Sequence, residues 1–417
     1  MTKFVTRLLC FFVCVLLLPC LCVSAEEDLP LISQAAILME AETGTILYAK
    51  NADQQMYPAS ITKVLTGYLA LKYGNEADVL SLSADGFNQV PRTSSHIGWL
   101  PEETFCLEEA LYALALVSAN DAAVAIAENI SGSVEEFAQL MNREAQALGA
   151  QNSHFVNPNG LPDADHYTTA YDMAMITAEA IRQPDFLLYF GAKEYELPAT
   201  DYNQARFLES KNQFIDGEME CPGLLMSKTG WTTAAQGTLV TVARRNNMTL
   251  IAVVLSSPML EDKYTDTQTL LNYGFSSYRR TQLSQSLMEE KLVDLGMDSA
   301  FCLEGYTPVN VLLPIGTKAE DLQVSVPGGF DAALGLSTLP VSVELEGEDG
   351  ILYPIEEILV TISPRVDAEP EVQEEEMPEV EQTKQIHPGI QILIILAAVF
   401  ACMAFVALGK ERKSAVK

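Results

Sequence analysis

Apolar side chains recur three and four residues apart over 61–73, 107–117, 122–130 and 134–148, the spacing of one helix face. Each stretch predicts a helix with that face on a core. Ahead of them the chain reads as a hairpin: 35–39 is apolar, 40–44 holds the turn, and 45–48 resumes the strand. Behind them lie three strand-like runs, 224–227, 238–243 and 248–256, with 244–247 turning between the last two. A further helix fits 266–273. Helices enclosed between an N-terminal hairpin and late strands predict an α+β fold, an antiparallel sheet with helices packed on it and a helical lobe.

The pattern changes after about residue 282. Short runs rich in Val, Ile and Leu (309–313, 322–326, 341–345, 358–362) alternate with Gly, Pro and acidic residues, which predicts a small β-rich domain over 283–365. From 366 to 381 the chain is acidic, contains proline and has no Lys or Arg, so 366–389 reads as an extended, solvated linker.

The ends carry addresses. Lys3 and Arg7 precede an apolar run from 8 to 23, and Val23-Ser24-Ala25 is a small-residue cleavage site, so 1–25 reads as a secretory signal peptide. Residues 390–408 are apolar except for Gln391, and Lys410, Arg412 and Lys413 follow. That length and basic stop predict a transmembrane helix at 390–409 with 410–417 in the cytoplasm and the body of the chain, 26–282 and 283–365, outside the cell membrane.

Composition narrows the partners. A hydrophobic share of 48% against 19% charged permits a packed core, and 417 residues suit two or three domains. Asp and Glu outnumber Lys and Arg by 56 to 25, for a net charge of -31, which excludes a phosphate backbone as partner: no nucleic acid. Of 8 cysteines, Cys10, Cys14, Cys20 and Cys22 leave with the signal and Cys402 falls in the membrane run. Cys106, Cys221 and Cys302 form neither a disulfide framework nor a metal cluster and read as buried free thiols, with a single bridge left open. His96, His154, His166 and His387 show no ligand spacing, so no metal or cofactor is expected.

Three short motifs carry chemistry. In Ser60-Ile61-Thr62-Lys63 the serine and lysine share a helix face. A serine hydroxyl needs a base, and lysine serves only when burial or a neighbouring cation keeps it neutral. In Ser118-Ala119-Asn120 a hydroxyl can relay a proton and an amide can hold a substrate amide. In Lys228-Thr229-Gly230, at the end of a strand, a cation and a hydroxyl suit a substrate carboxylate, and glycine lets the backbone approach. Singly, each has an ordinary reading as a helix cap, a loop or a solvated lysine.

In this order and spacing the motifs resemble those of the serine D-alanyl-D-alanine carboxypeptidases, the low-molecular-mass penicillin-binding proteins of peptidase family S11. Glu42-Thr43-Gly44 with Pro58-Ala59-Ser60 resembles the family's opening. Phe155-Val156-Asn157-Pro158-Asn159-Gly160-Leu161, then His166 and Thr169-Ala170-Tyr171-Asp172-Met173-Ala174, resembles its central signature. The likeness spans roughly 30–280. It implies a penicillin-binding/β-lactamase-like fold and an acyl-enzyme on Ser60, with Lys63 as base and Ser118 as proton relay. Asn120, Lys228, Thr229, Gly230 and Lys263 would bind substrate, Lys228 keeping its charge. The backbone N–H groups of Ser60 and Trp231 would form the oxyanion hole. The implied partners are a peptidoglycan stem peptide ending in D-Ala-D-Ala and β-lactam antibiotics. Trp231 stands where many members carry His, Lys263 where some carry Arg, and 234–237 departs from the usual run.

Three rivals share the motifs. A class A-like β-lactamase would need a Glu-x-x-Leu-Asn segment between the second and third motifs, and none is found. A β-lactam sensor would need a cytoplasmic partner domain in place of a short tail. An endopeptidase uses the same groups and stays open.

Overall fold

The computed structural model describes residues 29–297, 301–327, 338–347 and 352–364. The signal peptide, linker, membrane helix and tail read from the sequence lie outside these residues. Among the described residues no helix is long and apolar enough to cross a membrane. The chain divides into two units, Met1–Pro364 and Arg365–Lys417, and everything described belongs to the first.

Five antiparallel strands form the central sheet: β1 (Ala35–Glu40), β2 (Ile46–Lys50), β3 (Leu224–Thr232), β4 (Gln236–Arg245) and β5 (Met248–Ser257). Their order is β2-β1-β5-β4-β3, which leaves β3 at an edge. The sheet is buried on both faces. Along β5, Ile251, Val253 and Leu255 enter one core, while Leu250, Ala252 and Val254 enter another. Successive side chains of a strand point to opposite faces, so an unbroken apolar run is what a twice-covered sheet requires.

One face carries the helical lobe: α1 (Lys63–Tyr73), α2 (Leu107–Leu116), α3 (Asn120–Ser131), α4 (Val134–Ala147) and α5 (Ala170–Ala180). Leu65, Ile126 and Met173 are fully buried beneath it, each worth roughly 1.5–3 kcal/mol. The other face carries α6 (Asp262–Ser277), whose Leu270 and Leu271 are buried. Gly274 lets α6 close on the sheet: a Cβ there would lie 2.6 Å from Leu250 Cδ1 and 2.7 Å from Leu38 Cδ2.

Two features depart from the expected pattern. Residues 59–62 form a 3-10 turn, and the α-helix starts only at Lys63. Positions i and i+3 eclipse in a 3-10 turn, so Ser60 and Lys63 still align. The helix α5 was not predicted: it is buried nearly all round between sheet and lobe, which removes the polar stripe that marks an amphipathic helix.

The segment after α6 has its own core. Strand β6 (Tyr278–Leu283) pairs with β7 (Val309–Pro314), so backbone hydrogen bonds cross the boundary expected at 282/283. Strands β8 (Thr338–Glu346) and β9 (Leu352–Pro364) centre a four-stranded sheet, and Leu283, Leu313, Val341, Val343 and Val360 pack together. An unpredicted helix, Gln285–Asp294, opens the segment; its Met288 and Leu292, one turn apart, are its buried residues. Cys106, Cys221 and Cys302 are free, and each is half-buried, not buried as expected.

Candidate active site

Ser60, the candidate nucleophile, sits on the 3-10 turn Ala59–Thr62. Ala59 adopts φ 50°, an uncommon conformation for a residue with a Cβ. Two hydrogen bonds hold the turn: Thr238 Oγ1 donates to Pro58 O at 2.8 Å, and Thr62 Oγ1 donates to Ala59 O at 2.9 Å. The edge strand β3 passes close by. A Cβ on Gly230 would lie 2.8 Å from Ser60 N and 3.0 Å from Ala59 Cβ, so only glycine fits. The strand backbone at Gly230 thus runs close to the Ser60 N–H, where the expected oxyanion hole would lie.

Lys63 is fully buried behind the serine. Its Nζ lies 3.1 Å from Ser60 Oγ, 2.7 Å from Asn120 Oδ1 and 2.6 Å from Asn159 O. Asn120 Oδ1 and Asn159 O can only accept. A neutral amine has two N–H bonds and one lone pair. Given to these two acceptors, the N–H bonds leave the lone pair facing the serine hydroxyl. Burial lowers the Lys63 pKa well below the ordinary lysine value, the Lys228 charge adds to this, and Asp121 opposes it. Burial and the Lys228 charge thus favour the neutral form, and the geometry lets its lone pair face the Ser60 hydroxyl.

The second motif joins α2 to α3. Ser118 adopts φ 58°, and its Oγ lies 3.0 Å from Lys228 Nζ. Its partner is therefore Lys228, with Lys63 held elsewhere. Asn120 opens α3, is 3% exposed, and has its carbonyl oxygen on Lys63. Its amide nitrogen remains the group suited to a substrate carbonyl. Asp121 fastens the neighbouring loop, accepting the Trp99 N–H at 3.0 Å.

The third motif lies on β3, and Lys263 reaches it from the first turn of α6. Lys263 Nζ donates to Thr229 Oγ1, and Lys228 Nζ donates to Thr229 O at 2.9 Å. Both lysines are buried, and among the described residues neither has an ion pair. Burial, then the Lys263 charge, brings Lys228 down to about 7, and burial brings Lys263 down to about 8. The resemblance implies a charged Lys228; in the free site nothing anionic compensates its burial, which weakens its hold on that proton. A cavity of about 290 Å³ opens between the motifs, lined by Ser60, Ser118, Lys228, Thr229 and Gly230 with half-exposed Trp231 at its rim.

Of the nine residues singled out from the sequence, eight meet around this cavity or the buried lysine behind it, and Lys263 reaches the site through Thr229. Three others were named within motifs but given no role of their own. The Asn159 carbonyl holds Lys63, and Thr62 and His166 lie beneath the nucleophile turn. Ser95, Ser210, Lys211 and Asn212 also line the cavity. The Asn-Pro-Asn-Gly run was the available signal for the first, since such a run marks a tight loop.

Fold and site suit a serine acyl-transfer enzyme, with Ser60 hydrogen-bonded to one buried lysine and two further buried lysines meeting at Thr229. The family model of peptidase S11, D-alanyl-D-alanine carboxypeptidase, matches residues 23–259. D-alanyl-D-alanine carboxypeptidase DacF of Bacillus subtilis is 32% identical over 306 residues, covering 70% of this chain and 76% of its own. DacA of Haemophilus influenzae is 31% identical over 297 residues, covering 69% and 74%. Among solved structures, penicillin binding protein 5 from Haemophilus influenzae aligns with a TM-score of 0.66 at 26% identity, over 80% of this chain and 97% of that one. The Streptomyces K15 DD-transpeptidase aligns at 0.55 and 26% identity, over 59% and 97%. The chain belongs to the peptidase S11 family of D-alanyl-D-alanine carboxypeptidases.

Proposed function

We propose that the protein removes the terminal D-alanine from a peptidoglycan stem peptide ending in D-Ala-D-Ala. The observation that carries this is the Ser60–Lys63 pair, with both Lys63 N–H bonds given to fixed acceptors and Ser60 Oγ at 3.1 Å. Lys63 takes the hydroxyl proton as Ser60 attacks the penultimate carbonyl. The N–H groups of Ser60 and Trp231 stabilise the oxyanion. Lys228, near its midpoint and hydrogen-bonded to Ser118, supplies the leaving amine's proton through that hydroxyl. The last residue's carboxylate settles on Thr229 and Lys263. Water then hydrolyses the acyl-enzyme, and a β-lactam stops at the acyl stage on the same serine.

The test compares a D-Ala-D-Ala peptide with its C-terminal amide by mass analysis. Release of D-Ala from the acid, with the amide at least tenfold slower, is expected because buried cations left without an anion are unfavourable. Equal turnover of the two points to endopeptidase action, and rapid penicillin hydrolysis points to a β-lactamase. We place the enzyme outside the cell membrane, tethered through 366–389 by a helix at 390–409; the apolar run and the basic residues after it support this. The full chain should sediment with membranes, and a chain ending at 365 should not.

A further inference from the structure

His166 is 1% exposed and lies beneath the nucleophile turn, out of the cavity. Its Nδ1 accepts the Val156 N–H at 3.2 Å, which leaves the ring's own proton on Nε2. Nε2–H then donates to Thr62 Oγ1 at 3.0 Å, and the Thr62 hydroxyl donates to Ala59 O at 2.9 Å. The line therefore runs from the central loop to the carbonyl immediately before the nucleophile. Every donor direction along it is forced by the backbone N–H at its start.

The far end of this line is the strained residue. Ala59 holds φ 50°, which persists only where the surroundings impose it. Gly160 closes the other side of the same carbonyl. A Cβ there would lie 1.8 Å from Ala59 O and 2.8 Å from Thr62 Oγ1, so loop backbone and hydroxyl grip one oxygen between them. The Phe155 ring packs edge-to-face against the imidazole, with centroids 5.6 Å apart.

Resting on the assignment of Ser60 as nucleophile, we infer that His166 is a positioning residue: acting through Thr62, it holds the Ala59 carbonyl and so sets the aim of Ser60 Oγ at Lys63. His166 touches neither substrate nor reacting atoms. It works as a neutral ring, because a proton on Nδ1 would oppose the Val156 N–H. Burial lowers its pKa to about 4; Asp163 opposes this, and His154 and Lys63 assist it.

The test uses the full chain and labelled penicillin, with the acylation step measured apart from the noncovalent binding that precedes it, and with melting temperatures. Thr62→Val keeps the shape and removes the hydroxyl. Its acylation step should slow on the order of 10- to 100-fold, the cost of a misaimed nucleophile, with the binding constant unchanged. Thr62→Ser should recover most of the rate. His166→Gln, whose amide nitrogen reaches the place of Nε2, should stay close to wild type, and His166→Asn, which reaches only the place of Nδ1, should not. Thr62→Val combined with His166→Asn should be no slower than the slower single variant. Wild-type acylation by Thr62→Val overturns the inference, as does equal loss in the Asn and Gln variants that tracks melting temperature. A wild-type chain that forms no adduct on Ser60 overturns the nucleophile assignment, and the inference with it.

Discussion

Two sets of buried lysine lie at one short cavity, and their surroundings suit them to the opposite tasks proposed above. Lys63 faces two oxygen atoms that can only accept, Asn120 Oδ1 and Asn159 O, and one hydroxyl. Both N–H bonds of a neutral amine are used, and its lone pair has a proton to take. Lys228 and Lys263 face the hydroxyls of Ser118 and Thr229, one carbonyl and, for Lys228, the Lys263 charge. Their burial is left uncompensated until an anion arrives. Residue type does not separate a base from an anion receptor here. The number of fixed acceptors around each nitrogen does.

The sharpest way to break this comparison is to replace each lysine by arginine. A guanidinium cannot give up its proton in the working pH range. Lys63→Arg should therefore lose acylation by about 10²–10⁴-fold, the usual contribution of a positioned general base. Lys228→Arg keeps a cation beside the carboxylate site but cannot pass a proton on through Ser118, so it should retain a measurable part of the activity, with the loss spread over kcat and KM for the peptide. Rates of penicillin acylation and of D-Ala release measure both. Equal loss in the two variants would mean that the two environments do not divide the labour.

How much of this division the sequence reveals depends on which atoms carry it. The Ser60–Lys63 pair is local, three residues apart, and legible. The link from Ser118 to Lys228 spans 110 positions and follows only once α2 and β3 are packed together. The Asn159 contact is made by a backbone carbonyl, which any residue type could supply, so no side-chain pattern marks it. The same holds for the fold. The hairpin, α1, α2 and the late strands show their periodicity; the first two motifs lie at helix starts, and the third lies within β3, which runs on to Thr232. Helix α5 hides because it is buried on nearly all sides, and β5 reads as an unbroken apolar run because cores press on both of its faces. The left-handed Ala59 and Ser118 carry no glycine to announce them.

A gentler test varies pH and leaves the chain intact. Lys228 and Lys263 sit at about 7 and about 8 in the free site, so binding an anionic carboxylate draws protons onto them. Affinity for the peptide acid should weaken as pH rises through 7 to 9, by up to about tenfold per unit for each group losing its charge. The C-terminal amide lacks the anion, and its KM should stay nearly flat over the same range. Parallel KM curves for acid and amide would show that the two cations do not read the carboxylate.

The smallest expected effect lies in stability, and its sign is opposite to that of binding. Lys228 and Lys263 have folded values of about 7 and about 8, both below the ordinary 10.5 that the unfolded chain restores. Below pH 7 both lysines are protonated in either state, and the full cost of burying charge is borne. Between about 7 and about 10.5 the unfolded chain holds protons that the folded one has released, so stability rises with pH, by at most about 1.4 kcal/mol per unit per group. Lys63, also lowered, adds to the same slope. Tyr189 and Tyr195 are raised by burial above the ordinary tyrosine value, remain neutral in both states below pH 9, and so leave this window alone. Melting temperature at fixed ionic strength should climb from pH 7 to pH 9, while recognition of the peptide acid declines. Lys228→Met and Lys263→Met should each flatten that climb and raise the melting temperature at pH 7, since each removes a buried cation without a partner. A climb unchanged in both variants would assign the slope to other groups and leave the two lysines charged in the free site.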